Sequence, residues 1–275
     1  MKYKLIVSDF DNTLANDARQ VSERTKNAIL NFEKAGGKFV LCTGRVFSSA
    51  RRKCKVIGLT GDCIAYNGAI IGDIVTGEVK YRATLKKEVV VKLVREFESI
   101  SDVIVQVYYD DEIYAQTKNP YTDEYARVCN LDYFETKIPL SEFILQKNEP
   151  VIEVLVMASP DKVLSLYEEY RKIKTSDYTV VSSEEHFLEF ISPEANKGIA
   201  VQKMCAELGV DKSEVACFGD NYNDVYMIEY AGLGVAVSNG VDELKQKADL
   251  ICPSNDEDGV AQIMEKITKG EDLYA

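Results

Sequence analysis

Both ends of this chain alternate short, wholly apolar runs with amphipathic stretches, and that alternation restricts the fold more than any other feature. Apolar runs separated by helix-like segments are the mark of parallel strands whose sheet is covered on both faces by crossover helices. Lys4 to Phe10 reads as one such strand. Val21, Thr25, Ala28, Ile29, Phe32 and Ala35 then recur at helical spacing until Gly36-Gly37 stops them, and Phe39 to Cys42 reads as the next strand. Gly61 through Ala69 gives a third short strand with a turn at Asn67-Gly68, where the backbone tolerates positive φ.

The pattern changes near Tyr81. From there to Phe187 the chain carries longer alternating runs, Val103 to Tyr109 and Val151 to Met157. Two amphipathic helices are expected among them, one bearing Val89, Val90, Leu93, Val94 and Phe97, the other Val163, Leu166, Tyr167, Tyr170 and Ile173. Half-buried strands with helices on one face predict a separate α+β domain. After Asn196 the parallel-sheet pattern resumes, with a helix over Ile199, Ala200, Met204 and Leu208 ending at Gly209, then the buried runs Val215 to Phe218 and Leu233 to Val237. The fold class expected is therefore α/β: a Rossmann-like parallel-sheet core of residues 1–80 and 188–275, with residues 81–187 inserted as an α+β domain.

At 275 residues the chain is comfortable for two domains, and an apolar content of 46% is ample for two cores. Its net charge of −12 repels polyanions, so no nucleic-acid partner is expected and any phosphate must be gripped locally. No apolar stretch approaches the roughly 18 residues that span a bilayer. The opening run meets a carboxylate at Asp9 too soon for a signal peptide, so a cytoplasmic protein without membrane contact is expected, as a monomer or weak homodimer. The seven cysteines, Cys42, Cys54, Cys63, Cys129, Cys205, Cys217 and Cys252, are an odd number with no C-x-x-C pair, and read as reduced, mostly buried thiols. A single histidine, His186, excludes mechanisms that need two imidazoles and weakens zinc chemistry.

Three core strands end in polar residues: Asp9-Phe10-Asp11-Asn12-Thr13, Cys42-Thr43-Gly44-Arg45 and Gly219-Asp220-Asn221-Tyr222-Asn223-Asp224. The carboxyl ends of neighbouring strands in an open parallel sheet line one crevice, so these segments converge although they are far apart in sequence. Taken singly, each is an ordinary turn or helix cap. Together they bring four carboxylates to one place, a cluster that repels itself unless a cation is present. Hard oxygen donors without His or Cys specify Mg²⁺. In that setting Asp9 is the candidate nucleophile toward a phosphoryl group, with its charge offset by the cation and a nearby lysine. Asp11 is placed to give the leaving oxygen a proton and later take one from water. Thr43 is suited to a phosphoryl oxygen, and Asp220 to the metal.

The ordered set of motifs resembles the haloacid dehalogenase superfamily, and within it the Cof-type phosphatases that carry a large α+β cap. Asp9-Phe10-Asp11-Asn12-Thr13-Leu14 resembles the first motif of that family, which implies Asp9 as nucleophile and metal ligand, and Asp11 as acid and base lending the metal its main-chain carbonyl. Thr43-Gly44-Arg45 resembles the second motif and implies these residues on the phosphate. Glu189 to Pro193 followed by Asn196-Lys197-Gly198 resembles the return from the cap and the third motif, which assigns Lys197 to the phosphate and the nucleophile. Gly219-Asp220-x-x-Asn223-Asp224 resembles the fourth and implies Asp220 and Asp224 at the metal, with Asn223 at the phosphate. Asn67-Gly68 resembles a further Cof-type signature, adding Asn67 to the phosphate site, and Ala236 to Gly240 resembles a late segment that packs beside the fourth motif.

The resemblance implies hydrolysis of a small phosphorylated metabolite through an aspartyl-phosphate. Two alternatives use the same parts: a phosphosugar mutase, which needs a longer glycine-rich fourth motif, and a phosphoryl-accepting signalling module, which needs about half this length. The inserted domain is expected to read the substrate. Its tyrosines, among them Tyr108, Tyr109, Tyr114, Tyr121 and Tyr125, are more often packing than stacking surfaces.

Overall fold

The computed structural model describes residues 1–117, 120–129, 131–147, 149–182 and 185–273, without the side chains of Tyr121, Glu124, Tyr125, Val128 and Cys129. It separates into two compact units, one of residues 1–43, 50–80 and 196–275, the other of residues 44–49 and 81–195.

The first unit is built on a five-stranded parallel sheet in the spatial order Leu250–Cys252, Leu233–Val237, Val215–Gly219, Leu5–Ser8, Lys38–Leu41. Leu5–Ser8 and Val215–Gly219 are buried at every position, as continuous apolar runs in a covered parallel sheet must be. Leu5–Ser8 lies centrally, with Ser8 opposite Phe218 on one side and Leu41 on the other, so the three chains leave the sheet side by side. The helices Glu23–Lys34 and Lys197–Leu208 begin with caps: Ser22 accepts from the Thr25 N–H, and Asn196 from those of Gly198 and Ile199. Gly209 ends the second of these helices in the left-handed conformation.

The second unit holds a six-stranded sheet in the order Thr179–Val181, Phe187–Ile191, Glu153–Met157, Ile104–Tyr109, Glu112–Ala115, Asp132–Glu135. All neighbours are antiparallel except the last pair. The apolar face of Lys87–Glu98 (Val90, Val94, Phe97) and that of Pro160–Tyr170 (Val163, Leu166, Tyr170) share one core with Val107, Val154, Leu188 and Phe190 of the sheet. Two helices beyond the expected pair, Pro120–Cys129 and Leu140–Gln146, complete this unit's described helices of more than one turn. The second of them spans only 7 residues, too short for a helical period to declare itself.

The second unit continues to Ala195 rather than ending at Phe187, because Phe187–Ile191 is an interior strand of its sheet. Ile173 lies beyond the helix Pro160–Tyr170 and is exposed. Tyr109 belongs to the apolar core, and Tyr114 stacks on Phe134 and Phe143 with centroid separations of 5.1 and 4.8 Å, so both are packing residues. Tyr121 and Tyr125 have side chains outside the described set. Six cysteines are free and buried, while the Cys129 side chain is not described. No helix among the described residues is long and apolar enough to cross a membrane.

Candidate active site

The first unit's chemistry gathers where its strands end. The Asp9 N–H donates to the Phe218 carbonyl at 3.0 Å and the Cys42 N–H to the Ser8 carbonyl at 2.9 Å, extending the ladder one residue beyond the central strand. The chain then winds through Phe10–Leu14 in a wide turn closed by the Ala15 N–H on the Phe10 carbonyl, with Asn12 at φ 58°. Asparagine tolerates that left-handed geometry better than most residues. Asn239, from the late segment, holds the turn by donating from Nδ2 to the Asn12 carbonyl at 2.8 Å.

Lys197 stands at the first position of its helix with a side chain entirely removed from solvent. Its Nζ lies 2.6 Å from Asp9 Oδ1 and 2.6 Å from Asp224 Oδ1. The other Asp224 oxygen accepts the main-chain N–H groups of Asp220 at 2.9 Å and Asn221 at 3.1 Å, so Asp224 ties the lysine to the loop that carries Asp220. Thr13 Oγ1 donates to Asp220 Oδ1 at 2.7 Å. This bond links the first and fourth motifs directly, and it is the contribution of Thr13 that the spacing of acids did not disclose.

Carboxylate oxygens of Asp9, Asp220 and Asp224 all lie within 4.8 Å of one another. One ammonium cannot neutralise three carboxylates. Burial, opposed by Lys197 but reinforced by Asp224, Asp220 and Asp11, holds the Asp9 carboxyl well above its usual range. Burial, together with the Asp224 charge, pushes Asp220 up to about 7. Burial alone would lower Lys197, but Asp224 and Asp9 outweigh it and keep the ammonium charged. Excess negative charge on hard oxygens is what a divalent cation relieves. Oxygens bound to one such ion at about 2.1 Å sit roughly 3 to 4.2 Å apart, so this donor set fits one after sub-ångström closing. The three differ in readiness: both Asp224 oxygens are already engaged, whereas Lys197 takes only one oxygen of Asp9 and Thr13 only one of Asp220.

Asp11 stands outside the group of three carboxylates but close enough to raise both Asp9 and Asp220. Thr43 is buried at the end of its strand, donating its N–H to Ile64 and accepting from the Asn67 N–H at 3.1 Å. Asn67, at φ 52°, accepts at Oδ1 from Asn223 Nδ2 at 2.9 Å, joining the turn after the third strand to the fourth motif. Gly68 follows at φ +99°, and an added Cβ there would lie 2.5 Å from the Asn196 carbonyl oxygen, so only glycine lets the two turns meet. Gly44 and Arg45 group with the second unit, so of Thr43-Gly44-Arg45 only Thr43 belongs to the first.

A family model for haloacid dehalogenase-like hydrolases matches residues 6–264, which includes every one of these segments. The chain belongs to that family. Within it, the protein is of the Cof type. YxeH of Bacillus subtilis is 32% identical over 96% of this chain and 98% of its own length. The 5-amino-6-(5-phospho-D-ribitylamino)uracil phosphatase YitU of the same organism is 30% identical over 95% of this chain and 96% of its own. Among solved structures, a haloacid dehalogenase-like hydrolase from Bacteroides thetaiotaomicron superposes with a TM-score of 0.83 at 29% identity, covering 96% of this chain and 99% of that one. A second, from B. subtilis, gives 0.84 at 27% identity, covering 95% and 99%. The parallel-sheet core with its α+β domain is thus the fold of the family, as the motif order implied.

Proposed function

We propose that this phosphatase hydrolyses small phosphomonoesters, sugar or polyol phosphates among them, through a phosphoryl group carried transiently on Asp9. The observation that carries the reading is the buried Asp9–Lys197–Asp224 contact at 2.6 and 2.6 Å, at the end of the central strand and beside Asp220. A relative named for a ribitylamino phosphate ester supports the substrate class.

The chain's own residues divide the work. Asp9 attacks phosphorus and forms the acyl phosphate, while Lys197 offsets charge on Asp9 and on the phosphoryl oxygens as they approach. Asp11 donates a proton to the departing oxygen, then accepts one from the water that hydrolyses the acyl phosphate. Thr43 and the Asn67–Asn223 pair bind phosphoryl oxygens. Asp224 holds Lys197 in place, and Thr13 holds Asp220. Mg²⁺ fits the oxygen donors of Asp9 and Asp220, with the Asp11 carbonyl, and when bound supplies the positive charge that lets two anions meet.

In this proposal the protein is cytoplasmic, a monomer or weak homodimer. Its charge of −12 supports small metabolites rather than nucleic acid as partners. The test is Asp9→Asn. Turnover of p-nitrophenyl phosphate should disappear while the melting curve stays cooperative, and residual activity above roughly a hundredth of wild type would overturn the role given to Asp9.

A further inference from the structure

The wide turn Phe10–Leu14 is pinned unevenly. Phe10, Thr13 and Leu14 are buried, and the Ala15 N–H ties the Phe10 carbonyl at 2.8 Å, whereas Asp11 is half-buried and Asn12 exposed. Packing therefore fixes both ends of the turn but not its middle, the part that carries Asp11. Asn12 is left-handed at φ 58°, a conformation that persists where the surroundings over-determine it.

The late segment supplies what packing does not. Asn239 donates from Nδ2 to the Asn12 carbonyl at 2.8 Å and accepts at Oδ1 from the Asn255 N–H at 3.0 Å. A carbonyl only accepts and a main-chain N–H only donates, so both ends of this amide are committed and its orientation follows. Asn255 is buried, and its own Nδ2 donates to the Ala15 carbonyl and to Asp17 Oδ1, each at 3.1 Å. The two asparagines thus grip the turn at its middle and just past its end, with a bond joining them.

The same segment also touches the loop of Asp220. The Val241 N–H donates to the Asp220 carbonyl at 2.8 Å, and a Cβ added to Gly240 would lie 2.8 Å from that oxygen and 3.0 Å from the Asp220 Cα. Asn239-Gly240-Val241 is thereby a spacer between the two chain segments that carry Asp11 and Asp220. We propose that Asn239 is a positioning residue, whose amide, braced by Asn255, sets where Asp11 stands relative to Asp220. The roles given to Asp11, its carboxyl at the leaving oxygen and its carbonyl at the cation, rest on the phosphatase reading above; the bracing does not. Loosening the middle of the turn misplaces the proton donor while leaving the Asp9, Lys197 and Thr13 contacts in place, so protonation of the leaving oxygen is the step that suffers.

Asn239 is exposed, so Asn239→Ala should melt within about 3 °C of wild type. Substituted phenyl phosphates of similar size read the proton donor through leaving-group acidity. For p-nitrophenyl phosphate, whose leaving group needs little help from an acid, kcat/KM should change less than about threefold, and for phenyl phosphate it should fall about tenfold. Asn239→Asp keeps the acceptor for Asn255 and loses the donor to Asn12, and its dependence on leaving group should steepen in the same way. A second readout needs no turnover: Mn²⁺ binding, followed by electron paramagnetic resonance, should weaken about tenfold in Asn239→Ala. Equal losses for every leaving group, a wild-type dependence in either variant, or unchanged Mn²⁺ affinity would overturn the proposal. Wild type that hydrolyses no aryl phosphate, or a wild-type dependence in Asp11→Asn, overturns the phosphatase reading or the acid role of Asp11 instead. The bracing is then judged by the Mn²⁺ titration, where weaker binding in Asn239→Ala supports it and equal binding refutes it.

Discussion

Replacing Lys197 with Met measures how far the first unit's stability depends on one ammonium among three carboxylates. The side chain is fully buried and makes two contacts of 2.6 Å, to Asp9 and Asp224. Met fills nearly the same volume, so little of the loss is a cavity. Removing one partner from a buried ion pair costs about 3 to 5 kcal/mol because the remaining charges are left uncompensated. In a unit of roughly 150 residues each kcal/mol moves the midpoint by about 2 to 4 °C, so a fall of about 6 to 20 °C is expected at pH 8.

The pH dependence has a definite sign. Asp9 is an acid whose carboxyl is raised in the folded state, and without Lys197, which lowers it, the rise is larger. A raised acid favours the folded state while it is protonated, and that contribution is lost as pH rises through the folded value. The variant's deficit should therefore be smaller at pH 5.5 than at pH 8. Thermal melts with EDTA present exclude compensation by a cation, and Asp9→Asn/Lys197→Met should regain part of the loss. A Lys197→Met deficit that is equal at both pH values, or absent at pH 8, would refute the electrostatic account.

Thr13→Val removes the 2.7 Å bond to a buried Asp220 oxygen, and should raise the Mg²⁺ concentration for half-maximal activity about tenfold, as loss of a group orienting a metal ligand does; an unchanged titration would count against it. EDTA should abolish wild-type turnover and excess Mg²⁺ restore it, with Zn²⁺ a poor substitute for hard oxygen donors; chelator-resistant activity would contradict the reading. Gly68→Ala places a Cβ 2.5 Å from the Asn196 carbonyl oxygen at φ +99°, where no flexible side chain can yield. A loss of about 2 kcal/mol or more in urea denaturation is expected, and an unperturbed midpoint would show that the two turns move apart freely.

The core and the polar edge where its strands end are legible in the sequence because burial on both faces leaves a mark. Leu5–Ser8 and Val215–Gly219 are apolar almost throughout, so the first charged residues after them stand at the end of the sheet. Lys197 was found through the motif it resembles; its total burial was not readable, since an isolated lysine ordinarily lies in water. Thr13 was visible as a residue type but not as a partner, because its acceptor lies 207 positions away. In the second unit alternation identified strands without revealing whether the polar face is wet. Glu153 and Glu189 fall where an antiparallel strand exposes its polar side, yet both are buried.

These two acidic clusters obey one electrostatic rule with opposite consequences. At the strand ends of the core, a lysine and two main-chain N–H groups meet the carboxylates, and removing the cation exposes an uncompensated charge. On the second unit's sheet no cation among the described residues meets Glu153, so removing the acid relieves a cost. Lys197→Met should therefore destabilise where Glu153→Leu stabilises, although each alters a buried charged position. The difference follows from what is left behind in each place: excess carboxylates around Asp9, and the apolar flanks of Ile191 and Leu155 beside position 153. A chain selected for stability alone would replace Glu153 with an apolar residue. The excess charge around Asp9 is explained if a cation and a phosphoryl group arrive there.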